Sequence, residues 1–138
     1  MKTKNSCYTY FIITGEFDPD RVSALLGLRP DKVRRIGEGR RDGKKYDCAS
    51  WEFGRCDTYD PNISYLMETT ILPLRDKIDL LNRIRRENNV SFYLSVVPHI
   101  YANDVSPSLA PSLEVIDFCH ATRTELDIDL YVIDSADA

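Results

Sequence analysis

The stretch Cys-Tyr-Thr-Tyr-Phe-Ile-Ile-Thr at Cys7–Thr14 constrains the fold more than any other part of the sequence. Aromatic and β-branched side chains dominate it, which suits a pleated strand. Alternation sets Tyr8, Tyr10 and Ile12 on one face and Thr9, Phe11 and Ile13 on the other. With apolar groups on both faces, this strand is expected in the middle of a sheet. At 138 residues the chain is near the commonest size for one domain. That domain is expected over residues 7–133, with flexible ends at 1–6 and 134–138.

The remaining elements follow from caps and periodicity. Asp18-Pro19 opens a helix, because the Asp side chain can accept from a free N–H and proline at the first helical position loses nothing. Val22, Leu25 and Leu26 form its buried stripe, and Gly27 supplies the stop. Lys32–Glu38 and Cys48–Arg55 read as strands joined by the polar connector Gly39–Asp47, with Trp51 and Phe53 on one face of the second. Ile63–Leu72 suits either state, and we assign it as helical. Leu74, Ile78, Leu81 and Ile84 recur at helical spacing after Pro73. Val90–Tyr101 is a strand, Asn103–Pro111 a loop, and Ser112–Thr122 a helix whose stripe is Leu113, Ile116 and Phe118 or Cys119. In the last strand, Leu126–Ile133, Leu126, Ile128, Leu130 and Val132 are expected inward and Asp127, Asp129 and Tyr131 outward. The order predicts an α+β fold: a mainly antiparallel sheet of about five strands with helices on one face. Its βαββαβ order is ferredoxin-like, extended by a further helix and strand.

Charge is unevenly spread. The net charge is −4, yet Lys32–Lys45 holds seven basic residues against Glu38 and Asp42. From Tyr101 onward there are eight acids and one base, Arg123. The acidic third offers Asp104, Glu114, Asp117, Asp127 and Asp129, with Glu125, as a surface that steers towards a basic protein. The Gly/Arg-rich loop 34–45 offers Arg34, Arg35, Arg40, Arg41, Lys44 and Lys45 as the alternative, an anion site for nucleic acid or a phosphate ligand, with Tyr46 available for stacking. The loop has neither Walker spacing nor a following helix.

Catalytic and metal chemistry find little support. Ser95 and His99 face the same way but lie too far apart along one strand to form a dyad, and no Gly-x-Ser-x-Gly occurs. Asp127 and Asp129 share a face but lack a third ligand. Cys48, Cys56, Cys119 and His120 have no zinc-like spacing. Cys7, Cys48 and Cys119 are expected as small core hydrophobes, reduced in a cytoplasmic setting. No long apolar run suggests a leader or a membrane span. No cofactor and no metal are expected.

Several segments also resemble one family. Phe11-Ile12-Ile13-Thr14-Gly15-Glu16-Phe17-Asp18-Pro19-Asp20 is similar to the opening signature of a largely bacterial family catalogued as domain of unknown function 4279. Leu25-Leu26-Gly27-Leu28-Arg29-Pro30, Gly37, Ser50-Trp51 and Leu126-Asp127-Ile128-Asp129-Leu130-Tyr131-Val132 resemble its later landmarks. The Arg-rich insert at Arg34–Lys45 and the segment Ile63–Leu72 depart from it. The resemblance implies a small single domain without assigned catalytic residues or cofactor.

The expected function is therefore a non-enzymatic cytoplasmic binding protein. It would be an immunity-type or regulatory module whose partner is another protein, such as a cognate toxin with a basic active site. Leu26, on the buried stripe of the first helix, gives a direct test of the helix assignment. Leu26→Ala is expected to cost about 2–5 kcal/mol in a urea melt. A loss below ~0.5 kcal/mol would place that helix in another orientation.

Overall fold

In a computed structural model, which describes residues 4–133, strand β1 (Ser6–Glu16) runs through the centre of a six-stranded sheet. It pairs antiparallel with β3 (Ala49–Thr58) on one side and with β4 (Asn89–Tyr101) on the other. A short strand β2 (Lys32–Arg34) lies outside β3. Beyond β4, two short strands, β5 (Glu125–Ile128) and β6 (Tyr131–Ile133), run parallel to it. The helices are α1 (Pro19–Leu26), α2 (Ile63–Ile71), α3 (Ile78–Glu87) and α4 (Leu113–Thr122), with a 3-10 helix at Leu72–Lys77 joining α2 to α3. This is the expected mixed α+β fold with a mostly antiparallel sheet.

The two faces of β1 have different fates. Phe11 and Ile13 are fully buried with Trp51 of β3 and Phe92, Leu94 and Val96 of β4. Leu26, Met67, Ile71, Leu81, Val115 and Phe118 of the helices join the same core. Phe11 meets Phe92 and Phe118 edge-on at 5.6 and 6.2 Å. Trp51 keeps its polar handle satisfied, its indole N–H donating to Ser23 Oγ at 2.9 Å. The Tyr8, Tyr10 and Ile12 face is only half-buried.

Local chemistry explains the helix boundaries. The Asp18 side chain accepts from the Asp20 N–H at 3.0 Å, Pro19 starts α1, and Gly27 closes it. Asn62 caps α2 through Tyr65 N–H. Ile63, Leu66, Met67, Thr70 and Ile71 give α2 a buried stripe, which outweighs the strand preference of its threonines. Thr70 also serves β3: its hydroxyl donates to Gly54 O at 2.8 Å and meets Thr9 Oγ1 at 2.6 Å. Gly54 sits at the irregularity in β3 opposite Tyr10 with φ 75°, and a Cβ there would press on the Thr70 carbonyl at 3.0 Å.

Four expectations need correction. In α4 the buried residues are Val115, Phe118 and Thr122, whereas Leu113 and Ile116 are 77% and 47% exposed. Thr122 belongs to the inner stripe because its hydroxyl donates to Phe118 O and pairs with Thr124, so counting only hydrophobes selects the wrong helix face. The last strand is interrupted, and its apolar residues Leu126, Ile128, Leu130 and Val132 are exposed. β5 and β6 keep one register along β4, so residues 129–130 fall opposite Val97 and Pro98. Proline has no N–H to give, and the strand pairing lapses there. Among the described residues, no strand lies outside this last one. Cys48 is exposed in the loop before β3, whereas Cys7 is buried and Cys119 half-buried.

The boundaries of two segments also shift. The strand expected over Lys32–Glu38 ends at Arg34, and residues 35–46 form a small hairpin held by Tyr46 N–H to Glu38 O and Arg40 N–H to Lys44 O. Order begins before residue 7: Asn5 is buried, accepting from Tyr101 N–H and donating to Val105 O. The remainder of the two ends, 1–3 and 134–138, lies outside the described residues.

Gly15 provides the sharpest test of register. It adopts φ 141°, and an added Cβ would collide with the Asn89 carbonyl of β4. Gly15→Ala is expected to cost about 1–3 kcal/mol from backbone conformation alone, with the collision adding to it. Thr70→Val should cost about 1–3 kcal/mol by removing the hydroxyl that donates to the Gly54 carbonyl and leaving Thr9 with Leu66 O alone. Both are read from urea melts, and a change within ~0.5 kcal/mol at either site would contradict the β1–β4 or α2–β3 packing described.

Candidate functional site

The half-buried face of β1 is the sheet surface opposite the helix layer, and its neighbours in register complete it. Tyr8 is flanked by Asp57 of β3 and Val97 of β4, Tyr10 by Ser95, and Ile12 by Glu52 and Tyr93. Tyr93 and Ser95 in turn neighbour Glu125 and Asp127 of β5, and His99 neighbours Tyr131 of β6. Ser95 and Val97 are themselves buried, so the surrounding rings form the outer surface.

A continuous row of π and charged groups crosses this face. The Arg55 guanidinium lies over the Tyr8 ring, 3.9 Å from its centroid. His99 lies 6.1 Å beyond Tyr8, and Tyr131 stacks on His99 at 5.0 Å with planes 8° apart. Tyr10 stacks beside Tyr8 at 6.1 Å. A carboxylate terminates each end. Arg55 donates to Asp57 at 3.2 and 3.3 Å, and the Tyr131 hydroxyl donates to Asp129 at 3.2 Å. The hydrogen bond to Asp57 holds Arg55 in its charged form, and that to Asp129 pushes the Tyr131 phenol up. Burial raises Tyr10, partly offset by its hydrogen bond with Ser95. The rings are thus fixed in place by partners in the sheet, which lowers the entropy lost when something binds them.

Of the acids read from the sequence, the sheet brings Asp127 and Asp129, with Glu125, to one edge of this face. Asp104 lies elsewhere and is structural: Oδ2 accepts from Asn5 N–H at 2.7 Å and Oδ1 from Val105 N–H at 2.8 Å. Glu114 and Asp117 are exposed on α4, in the helix layer on the opposite side of the sheet. The five residues do not form one surface.

The basic loop is a hairpin beside β2. Arg35 is committed to Asp20 of α1 by two 2.9 Å bonds, and Arg40 pairs with Asp42 at 3.1 Å. Arg34 and Arg40 both lie over Tyr46, at 5.0 and 5.6 Å. Arg41, Lys44 and Lys45 are exposed. Lys32 and Arg34 on β2 carry this positive charge to the edge of the open face, across the sheet from Glu125 and Asp127.

The members of the row that sequence reasoning overlooked are Tyr8, Tyr10, Arg55, His99 and Tyr131. Their signal was present in the alternation of β1, where two tyrosines share the face that the helices leave uncovered.

Ser95 and His99 are four residues apart on β4, about 13 Å at ~3.3 Å per residue. Burial pushes the Cys7 and Cys119 thiols up to about 11, which leaves little thiolate at neutral pH. Among the described residues, no group of three or more His, Cys, Asp or Glu side chains is placed to hold a metal ion. Among the described residues, no helix is long and apolar enough to cross a membrane.

A family model described as Domain of unknown function (DUF4279) matches residues 5–133. No curated protein and no solved structure matches the chain.

Thiol chemistry checks the placement of the cysteines. In an Ellman titration of the folded protein, Cys48 is expected to react first, and Cys7 and Cys119 only slowly until denaturant is added. Cys119 labelling as fast as Cys48, located by peptide mass mapping, would contradict its half-buried place on α4.

Proposed function

The chain belongs to the DUF4279 family, and from that premise we propose that it is a non-enzymatic binding protein whose open sheet face engages another protein. The observation that carries this is the row Arg55–Tyr8–His99–Tyr131 displayed on the face that none of the described helices covers. Tyrosine and arginine are the side chains that most often anchor protein interfaces, because they offer large rigid area with a polar tip. Charged groups at the edges fit the polar rim of such an interface. Glu52, Asp57, Glu125, Asp127 and Asp129 make the face electronegative around its aromatic centre, apart from the β2 edge and Arg55. They favour a partner with a basic surface and oppose the phosphates of nucleic acid. An immunity-type role, in which the acidic face masks the basic active site of a toxin in the cytoplasm, fits this chemistry, as does regulation of another basic protein.

A second reading places the site on the basic hairpin, with nucleic acid or a phosphate ligand as partner. Its support is the pair of guanidinium groups held over Tyr46. Both rest on one test. The chain is immobilised, proteins retained from a lysate of its own cells are identified, and the principal one is purified for titration. Asp127→Lys together with Asp129→Lys should slow association several-fold and flatten its salt dependence while leaving the thermal melt unchanged. Tyr8→Ala should raise the dissociation rate about tenfold or more. Replacing Arg40, Arg41, Lys44 and Lys45 by Ser should change little. Loss of binding in the hairpin variant, with the aspartate variant at the wild-type rate, would move the site to the hairpin. Unaltered rates in both would overturn the electrostatic reading.

A further inference from the structure

We propose that the β5 edge accepts an extended segment of the partner as an additional strand, with basic side chains on one side of that segment and aliphatic ones on the other. The inference rests on the protein-binding reading above and specifies how the partner enters. Among the described residues, β5 has β4 on one side and no strand on the other, which leaves an outer edge for pairing. Its side chains are sorted by the register. Glu125 and Asp127 follow Tyr93 and Ser95 onto the open face, whereas Leu126 and Ile128 follow Leu94 and Val96 onto the helix side.

On that helix side the apolar residues are not covered. Leu126 and Ile128 are 37% and 41% exposed, and Ile116 of α4, itself exposed, lines one groove with Leu126. Between α4 and β5 lies a groove of about 600 Å³ lined by Pro111, Ile116, Cys119, His120, Arg123 and Leu126. Edge strands that avoid pairing usually carry charge on an exposed side or are covered by another element. Here the acids Glu125 and Asp127 share the open-face register, and the other side opens into a groove whose apolar lining of Pro111, Ile116 and Leu126 is edged by His120, Arg123 and Glu125. An incoming strand alternates in the same way, so its side chains at one parity would meet Glu125 and Asp127 and those at the other would enter the groove. A second copy of this chain pairing through the same edge would set acid against acid, which disfavours that occupant.

The probe is the synthetic peptide acetyl-Lys-Val-Lys-Ile-Lys-Val-Lys-amide, titrated against the full chain by fluorescence anisotropy. Three controls accompany it: the same peptide N-methylated at alternate residues, a version with Glu for Lys, and the chain carrying Ile116→Glu with Leu126→Glu. Binding is expected to weaken at least tenfold in each control, and the peptide should slow amide hydrogen exchange within Glu125–Ile128. Both substituted residues are solvent-accessible, and a far-UV spectrum verifies folding. Equal binding of the methylated peptide would overturn strand addition. So would unchanged exchange at the edge, absence of binding, or sedimentation showing that the chain itself dimerises through this edge. If strand addition fails while Asp127→Lys with Asp129→Lys still slows the natural partner, only this inference falls. If the partner ignores those aspartates as well, the protein-binding reading falls with it.

Discussion

Everything in this molecule depends on the in-register pairing of β1 with β4 along all eleven residues of β1. That pairing, with β3 on the other side, fixes which side chains of the three central strands share a face. Phe11 and Ile13 thereby join Phe92, Leu94 and Trp51 under the helices, and the tyrosines are left on the surface beside His99 and Arg55. A slip of one residue would exchange the two sets, burying phenols and exposing the core. Gly15 helps lock the register, because only a residue without a Cβ fits against the Asn89 carbonyl where the strands converge.

The same pairing organises charge. The basic hairpin hangs from the β2 side, and Glu125 and Asp127 ride on the β5 side, so the open face has opposite signs at its two margins. Several cations of the hairpin are already engaged. Arg35 is drawn to Asp20 and Arg40 to Asp42, which leaves the hairpin less electropositive than its composition suggests. The acids of the C-terminal third are divided in another way, Asp104 stabilising a loop, Glu114 and Asp117 riding on α4, and Glu125, Asp127 and Asp129 reaching the face with the aromatic row. Net charge describes the field of such a protein at long range; the tertiary arrangement decides where its charges stand.

Much of the fold was legible where the relevant physics is local. Asp18, Pro19 and Gly27 bound α1 through groups within a few residues of one another, and the alternation of Trp51 and Phe53 orients β3. Reading failed where a polar group does apolar work or where a neighbour is missing. Thr122 is buried because its hydroxyl finds Phe118 O and Thr124, a solution invisible to a count of hydrophobes. Leu126, Ile128, Leu130 and Val132 alternate like an inward face, yet they remain exposed because their strand is the last in the sheet. The lapse at residues 129–130 traces to Pro98, on a strand about thirty residues away in sequence.

The sequence by itself determined that there would be a central strand with two distinct faces, a capped first helix, a ferredoxin-like order of elements and opposed basic and acidic segments. These are written in spacing, caps and composition, and each acts over a few residues. Only the tertiary structure decided that the tyrosine face of β1 would stay open, that Arg55, His99 and Tyr131 would align with Tyr8 across neighbouring strands, and that Asp127 and Asp129 would stand at the margin of that row without Glu114 and Asp117. These residues are brought together by hydrogen-bonded register between segments far apart in the chain, and register belongs to the pairing of strands rather than to any one of them.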